Sequence, residues 1–248
     1  MIRTKRVTHC VASAVFLALA ALPLTAQDLV IKETMKTTTT MMGASNRSGS
    51  STTYFSPKTM KVAGVDGRDS IIHFDAQKIV TVDNGKKTYS EMTFKELEEM
   101  AARVGAEMEK NREQLETMKK MMGQVSENFT VERVGPGDTI AGFKTEKYLV
   151  KGPFEMEVWA APELKTPTQY YDILKMRIPK NPLFDAGKMY DEMKKIDGMT
   201  LRSVMTVRMM GRETKTTTEA VSVEKTTLPA ETFAVPAGYT LEKRQEMK

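Results

Sequence analysis

The chain has 248 residues, with 37 Lys and Arg against 32 Asp and Glu, a formal net charge of +5 and a mean hydropathy of −0.38. That mixed charge gives no footing for nucleic acid or an anionic membrane surface as a partner. The one cysteine, Cys10, precedes the first apolar run, so the chain beyond it has no thiol for a disulfide, a nucleophile or a thiolate metal site.

Arg3, Lys5 and Arg6, then the apolar run Val11 to Leu22, then Pro23 to Ala26, have the three-part layout of a secretory signal peptide, with cleavage expected after Ala26. The run is about a dozen residues, short of the ~20 that a spanning helix needs, so no integral membrane span is expected after cleavage. Without those three basic residues, 34 Lys and Arg face 32 Asp and Glu, a net +2. Residues 27–248, roughly 222 in all, are expected to form one domain of an exported protein, periplasmic or secreted, because no linker divides them.

From Leu29 to Lys36 side chains alternate with a period of two, the mark of a strand, and Thr37 to Thr40 can extend it. Gly43 to Ser51 reads as a polar loop. Strands are expected at Thr52 to Phe55, Thr59 to Val65, Ser70 to Asp75, Lys78 to Asp83 and Lys86 to Met92, separated by Pro57, Asp66-Gly67, Ala76-Gln77 and Asn84-Gly85. Thr93 with Glu96 then forms a capping box, and Leu97, Met100, Ala101, Val104, Met108, Leu115, Met118, Met121 and Met122 recur at helical spacing. One long helix is expected from Thr93 to Gly123, about 43 Å over roughly 29 residues, inserted between two parts of one sheet with its methionine-rich side toward the concave surface. Its Glu and Lys side reads as a solvated face.

Strands return at Val125 to Val134, break at Gly135-Pro136-Gly137, and continue at Ile140 to Lys151 and Phe154 to Ala161, the last carrying Trp159. A second helix is expected from Thr166 to about Pro179 and a third over Asp185 to Ile196. Thr200 to Arg212 and Lys215 to Lys225 form a hairpin about Gly211, and Leu228 to Tyr239 is an apolar tail expected to tuck against the sheet. About ten or eleven antiparallel strands, interrupted by a long helix and two shorter ones, make an α+β domain with a curved sheet.

No catalytic signature appears and no cofactor is expected. His73 lies in a strand near Asp75 without a serine or second carboxylate at any known spacing, and Gly135-Pro136-Gly137 lacks the Lys and helix of a phosphate loop. Methionine is the compositional oddity, at 20 residues. Thioethers can take Cu(I), but methionine also fills irregular cores and lines promiscuous apolar sites. His73 is the one histidine beyond the leader, and no compact M-x-x-M cluster repeats, so core filling is the simpler reading and no metal site is assigned.

Four segments, Ile31 to Met35, Thr139 to Tyr148, Val158 to Leu164 and Phe233 to Tyr239, resemble the DUF4412 family of exported bacterial proteins, whose function is unassigned. That family is similar in architecture to lipoprotein carriers of the LolA and LolB type, in which a curved antiparallel half-barrel is closed by helices around an apolar cavity. The resemblance implies a non-enzymatic module that binds a lipid, an acyl chain or a lipoprotein; the competing reading is an envelope scaffold with a packed interior. Under the first, Met100, Val104, Met108, Leu115, Met118, Met122 and Trp159 are expected to line the ligand cavity.

Overall fold

The computed structural model describes residues 28–40, 46–64, 66–111, 129–152, 154–165, 186–209 and 212–242. The expected leader, the second expected helix and Leu115, Met118, Met121 and Met122 lie outside them.

In chain order the strands are β1 Asp28–Thr40, β2 Asn46–Phe55, β3 Thr59–Ala63, β4 Arg68–His73, β5 Lys78–Asp83, β6 Thr88–Thr93, β7 Thr130–Ile140, β8 Phe143–Lys151, β9 Glu155–Ala161, β10 Met199–Met209, β11 Arg212–Thr226 and β12 Thr240–Leu241. Helix α1, Phe94–Lys110, follows β6, and α2, Ala186–Met193, precedes β10. All twelve strands belong to one sheet, ordered β12-β6-β5-β4-β3-β2-β1-β11-β10-β9-β8-β7 and antiparallel throughout except where β12 joins β6.

The α+β class and the open antiparallel sheet are as expected; the element count is not. The sheet has twelve strands rather than ten or eleven, and two α-helices rather than three stand among the described residues. The loop expected at Gly43 to Ser51 is strand from Asn46 onward, because this stretch pairs rung by rung with β1 from Thr38 down to Glu33. The break expected at Gly135-Pro136-Gly137 lies inside β7, an outer strand, where proline costs no ladder bond on its free side. Two register shifts absorb the irregularity. The β7–β8 turn falls at Ala141 and Gly142, both with positive φ (49° and 86°), the backbone that a two-residue hairpin requires.

The capping box forms as the spacing implies. Thr93 N–H and Oγ1–H each donate to Glu96 Oε2 at 2.7 Å, and Glu96 N–H donates back to Thr93 Oγ1 at 3.2 Å. These bonds satisfy backbone donors that a helix start otherwise leaves free. Phe94, Leu97 and Met100 of α1 pack on Met60, Ile72 and Ile79. Those three belong to a rung that runs Phe55, Met60, Ile72, Ile79, Met92 across five strands. Burial of one large side chain there stabilises the fold by about 1.5–3 kcal/mol. On the opposite face of the same strands, Ile71, Val80 and Val82 are covered by Phe233, Val235 and Tyr239 of the tail.

Helix α2 sits at the other end of the sheet, with Met189 and Tyr190 on Tyr148, Val150 and Val158. Glu192 ties it to the outer strand by accepting from Val131 N–H at 3.2 Å. The register decides which face this is. Tyr148, Val158, Ser203, Thr218 and Met35 form one rung. Met35 points the same way as Leu29, which stands opposite Phe55 in the rung under α1. Helices α1 and α2 therefore lie on the same side, here called the helix face, and the tail lies on the other, the tail face.

Candidate functional site

Between the two helix-covered patches run the four central strands β2, β1, β11 and β10. Their helix-face strip carries Ser51 and Thr53, Glu33, Met35 and Thr37, Thr216 and Thr218, and Ser203 and Met205. Met35 is 37% exposed, high for a large apolar side chain. The threonines satisfy one another across strands, with Thr37 Oγ1 3.2 Å from Thr216 Oγ1 and Thr39 Oγ1 3.4 Å from Thr214 Oγ1.

Two bulges shape the lower end of this strip. Val221 is an extra residue in β11 opposite the step from Lys32 to Glu33, and Leu201 is an extra residue in β10 opposite the step from Ala160 to Trp159. Bulges bend strands and re-aim side chains. Below Arg202 the β10–β11 ladder stops, while β11 stays paired with β1 down to Asp28 and β10 stays paired with β9 down to Met199. The sheet forks here, and Leu29, Ile31, Trp159, Leu201 and Ala220 belong to the core cluster at the fork.

Glu33 stands just above the fork, across from Ser51 on one side and Ala220 on the other. Burial pushes its carboxyl above the usual carboxylate range, and a hydrogen bond from the Thr53 hydroxyl partly opposes this.

Trp159 is 8% exposed and belongs to a tail-face rung with Lys147, Arg202 and Glu219. Lys147 Nζ lies 4.7 Å and Arg202 Cζ 5.1 Å from its ring centroid. Arg202 forms a two-pronged pair with Glu219 (Nε to Oε2 2.8 Å, Nη2 to Oε1 3.1 Å) and also reaches Asp138, while Lys147 pairs with Glu157. Gly137 backs the indole so closely that a Cβ there would stand 2.6 Å from Trp159 Cδ1.

Of the residues expected to line a cavity, Met100 packs on the α1 patch, and Val104, one turn further, is half-buried. Trp159 belongs to a different cluster, on the tail-face rung, so it is not brought together with Met100. The side chain of Met108, like Leu115, Met118 and Met122, lies outside the described residues. The one sequence signal of Glu33 is an acidic residue on the apolar phase of the Leu29 to Met35 alternation. Among the described residues, buried Met60, Met189 and Met199 lie in three separate clusters, with Met92 and Met100 beside the first and Met156 and Met193 beside the second. Among the described residues no group of three His, Cys, Asp or Glu could hold a metal ion, and no helix is long and apolar enough to cross a membrane. His73 ends β4 between Thr59 and Lys78; burial and the Lys78 charge hold its imidazole below the usual value, against Asp75 and Glu91.

A cleft of about 490 Å³ lies on the tail face, walled by Tyr54, Lys61, Glu231, Thr232 and residues 234–237. Lys61 is engaged by Asp69 at 3.3 Å.

Residues 106–239 match the family model described as Domain of unknown function (DUF4412). The chain belongs to the DUF4412 family. Three of the four resembling segments fall within the match, and Ile31 to Met35 falls before it. No curated protein matches the sequence. Among solved structures, the chain is similar to PNGF-II (11% identity, 87% of this chain and 31% of that one, TM-score 0.37). It is also similar to MucB (12% identity, 86% and 58%, TM-score 0.31). A third is a LolA superfamily protein from Nitrosomonas europaea (6% identity, 83% and 90%, TM-score 0.29). The chain thus spans about a third of PNGF-II and somewhat over half of MucB.

Proposed function

We propose that this DUF4412 protein is an exported, non-enzymatic binding module of a single domain that holds an apolar chain, a lipid, free acyl chain or lipoprotein acyl group, along its helix face. One observation carries the reading: α1 and α2 pack on the same face at opposite ends of the sheet. The strip between them has an exposed methionine, Met35, beside self-satisfied threonines and a carboxyl, Glu33, disfavoured in its charged form by burial. Methionine side chains are unbranched and polarizable and accept chains of varying shape, so Met35 and Met205 below, with Met100 and Val104 at the α1 wall, suit such a ligand. The basic and apolar N-terminal stretch supports delivery to the bacterial envelope.

The test is native mass spectrometry of the protein produced with its leader in a bacterial envelope. The expected result is a bound population heavier than the apoprotein by one lipid-sized mass, removable by delipidation and restored by a long-chain fatty alcohol. A single unliganded mass that takes up no added chain would instead favour a scaffold with a packed interior.

A further inference from the structure

We infer that Glu33 makes the helix face selective for an amphiphile whose head donates hydrogen bonds and carries no negative charge, a long-chain amine being the simplest example, over a fatty-acid anion. This rests on the reading that the strip holds an apolar chain, and adds which head that chain can bear.

The strand β1 is central in the sheet, and Glu33 is near its middle, between Ile31 and Met35 on the helix face. Its lateral neighbours there, Ser51 and Ala220, carry no charge. The Thr53 hydroxyl is its one assigned hydrogen-bond partner, and no ion pair to Glu33 occurs among the described residues. The nearest cations on the same phase of the register are Arg47, opposite Thr37, and Lys225, opposite Leu29. Each is four residues away along the strand, about 13 Å at 3.3 Å per residue. That exceeds the Debye length of about 8 Å at physiological salt. Lys225 is moreover turned to Glu163, at 3.7 Å, and to the Phe143 ring, at 5.5 Å.

Four other carboxylates differ. Glu219, Asp138, Glu157 and Asp69 each meet a cation. A carboxylate partly withdrawn from water without a counter-charge is disfavoured, and an ammonium head would supply that charge together with N–H donors. A carboxylate head would add a second negative charge to the same strip. Burial already pushes Glu33 up, and no cation among the described residues offsets it.

The experiment is displacement of a fluorescent acyl probe from the full chain at pH 7.5, with dodecylamine, dodecanol and laurate each kept below its micelle concentration, for wild type and Glu33→Gln. Wild type is expected to be displaced by dodecylamine at a concentration about tenfold or more below that for laurate. Glu33→Gln is expected to bring the two within about threefold, with a smaller change for dodecanol than for dodecylamine. Equal potency of amine and laurate on wild type, or a preference that survives Glu33→Gln, would overturn the selectivity and leave the acyl site standing. Failure of wild type to bind the probe at all would overturn both.

Discussion

Two charged groups near the fork of the sheet are treated in opposite ways. On the tail face, Arg202 is only partly exposed, yet it lies over Trp159 and is bound by Glu219 and Asp138. On the helix face, Glu33 is pushed toward its neutral form and has a hydroxyl for a partner instead of a cation. A charge that the fold compensates in this way is part of the framework, as the packing around Trp159 indicates. The uncompensated one lies on the face where two helices leave a strip between them, as expected of a site kept for something other than stability.

If the tail-face side is framework, breaking it should cost stability in proportion to what is buried. Trp159→Ala is expected to be the most damaging change, about 3–5 kcal/mol by denaturant unfolding, since it empties the fork among Leu29, Leu201 and Ala220. Gly137→Ala is expected to cost about 1–3 kcal/mol, because its Cβ would fall 2.6 Å from both Thr145 Oγ1 and Trp159 Cδ1. Thr93→Ala, which removes one half of the capping box of α1, is expected to cost about 1 kcal/mol in the same measurement.

Glu33→Gln should act in the other direction. The folded-state pKa of Glu33 lies above its ordinary value of 4.5, so the folded protein favours the protonated carboxyl. Its contribution is fully present below pH 4.5 and is lost as pH rises through the raised folded value. The variant is therefore expected to match wild type in acid and to exceed it in melting temperature at neutral pH. A wild type more stable than Glu33→Gln at neutral pH would place an unrecognised cation beside Glu33 and erase the contrast between the two faces.

Much of the fold was legible because it is written locally. The strands β3 to β6 follow short alternating runs closed by turn residues, and α1 begins where Thr93 and Glu96 say it should. What escaped was set by partners distant in sequence. Asn46 to Ser51 has the composition of a loop and becomes strand because β1 offers it a complete ladder. The Gly135-Pro136-Gly137 stretch survives in β7 because that strand is outermost, which sequence does not reveal. Thr240 and Leu241 form a two-residue parallel strand from contacts made more than 150 positions away. The site follows the same rule. Met100 could be placed on an apolar stripe by spacing alone, whereas the isolation of Glu33 depends on what β2 and β11 place beside it. The association of Trp159 with two cations likewise depends on the register of β8, β9 and β10.

The central claim is that an apolar chain lies on the helix face between α1 and α2. A fatty alcohol carrying a photoactivatable group mid-chain, cross-linked to the full protein and mapped by peptide mass spectrometry, tests it most directly. Labels are expected on Met35, Thr37, Thr218 and Met205. Labels confined to the tail face, at Lys36, Lys215 or the Tyr54 and Lys61 cleft, would contradict it.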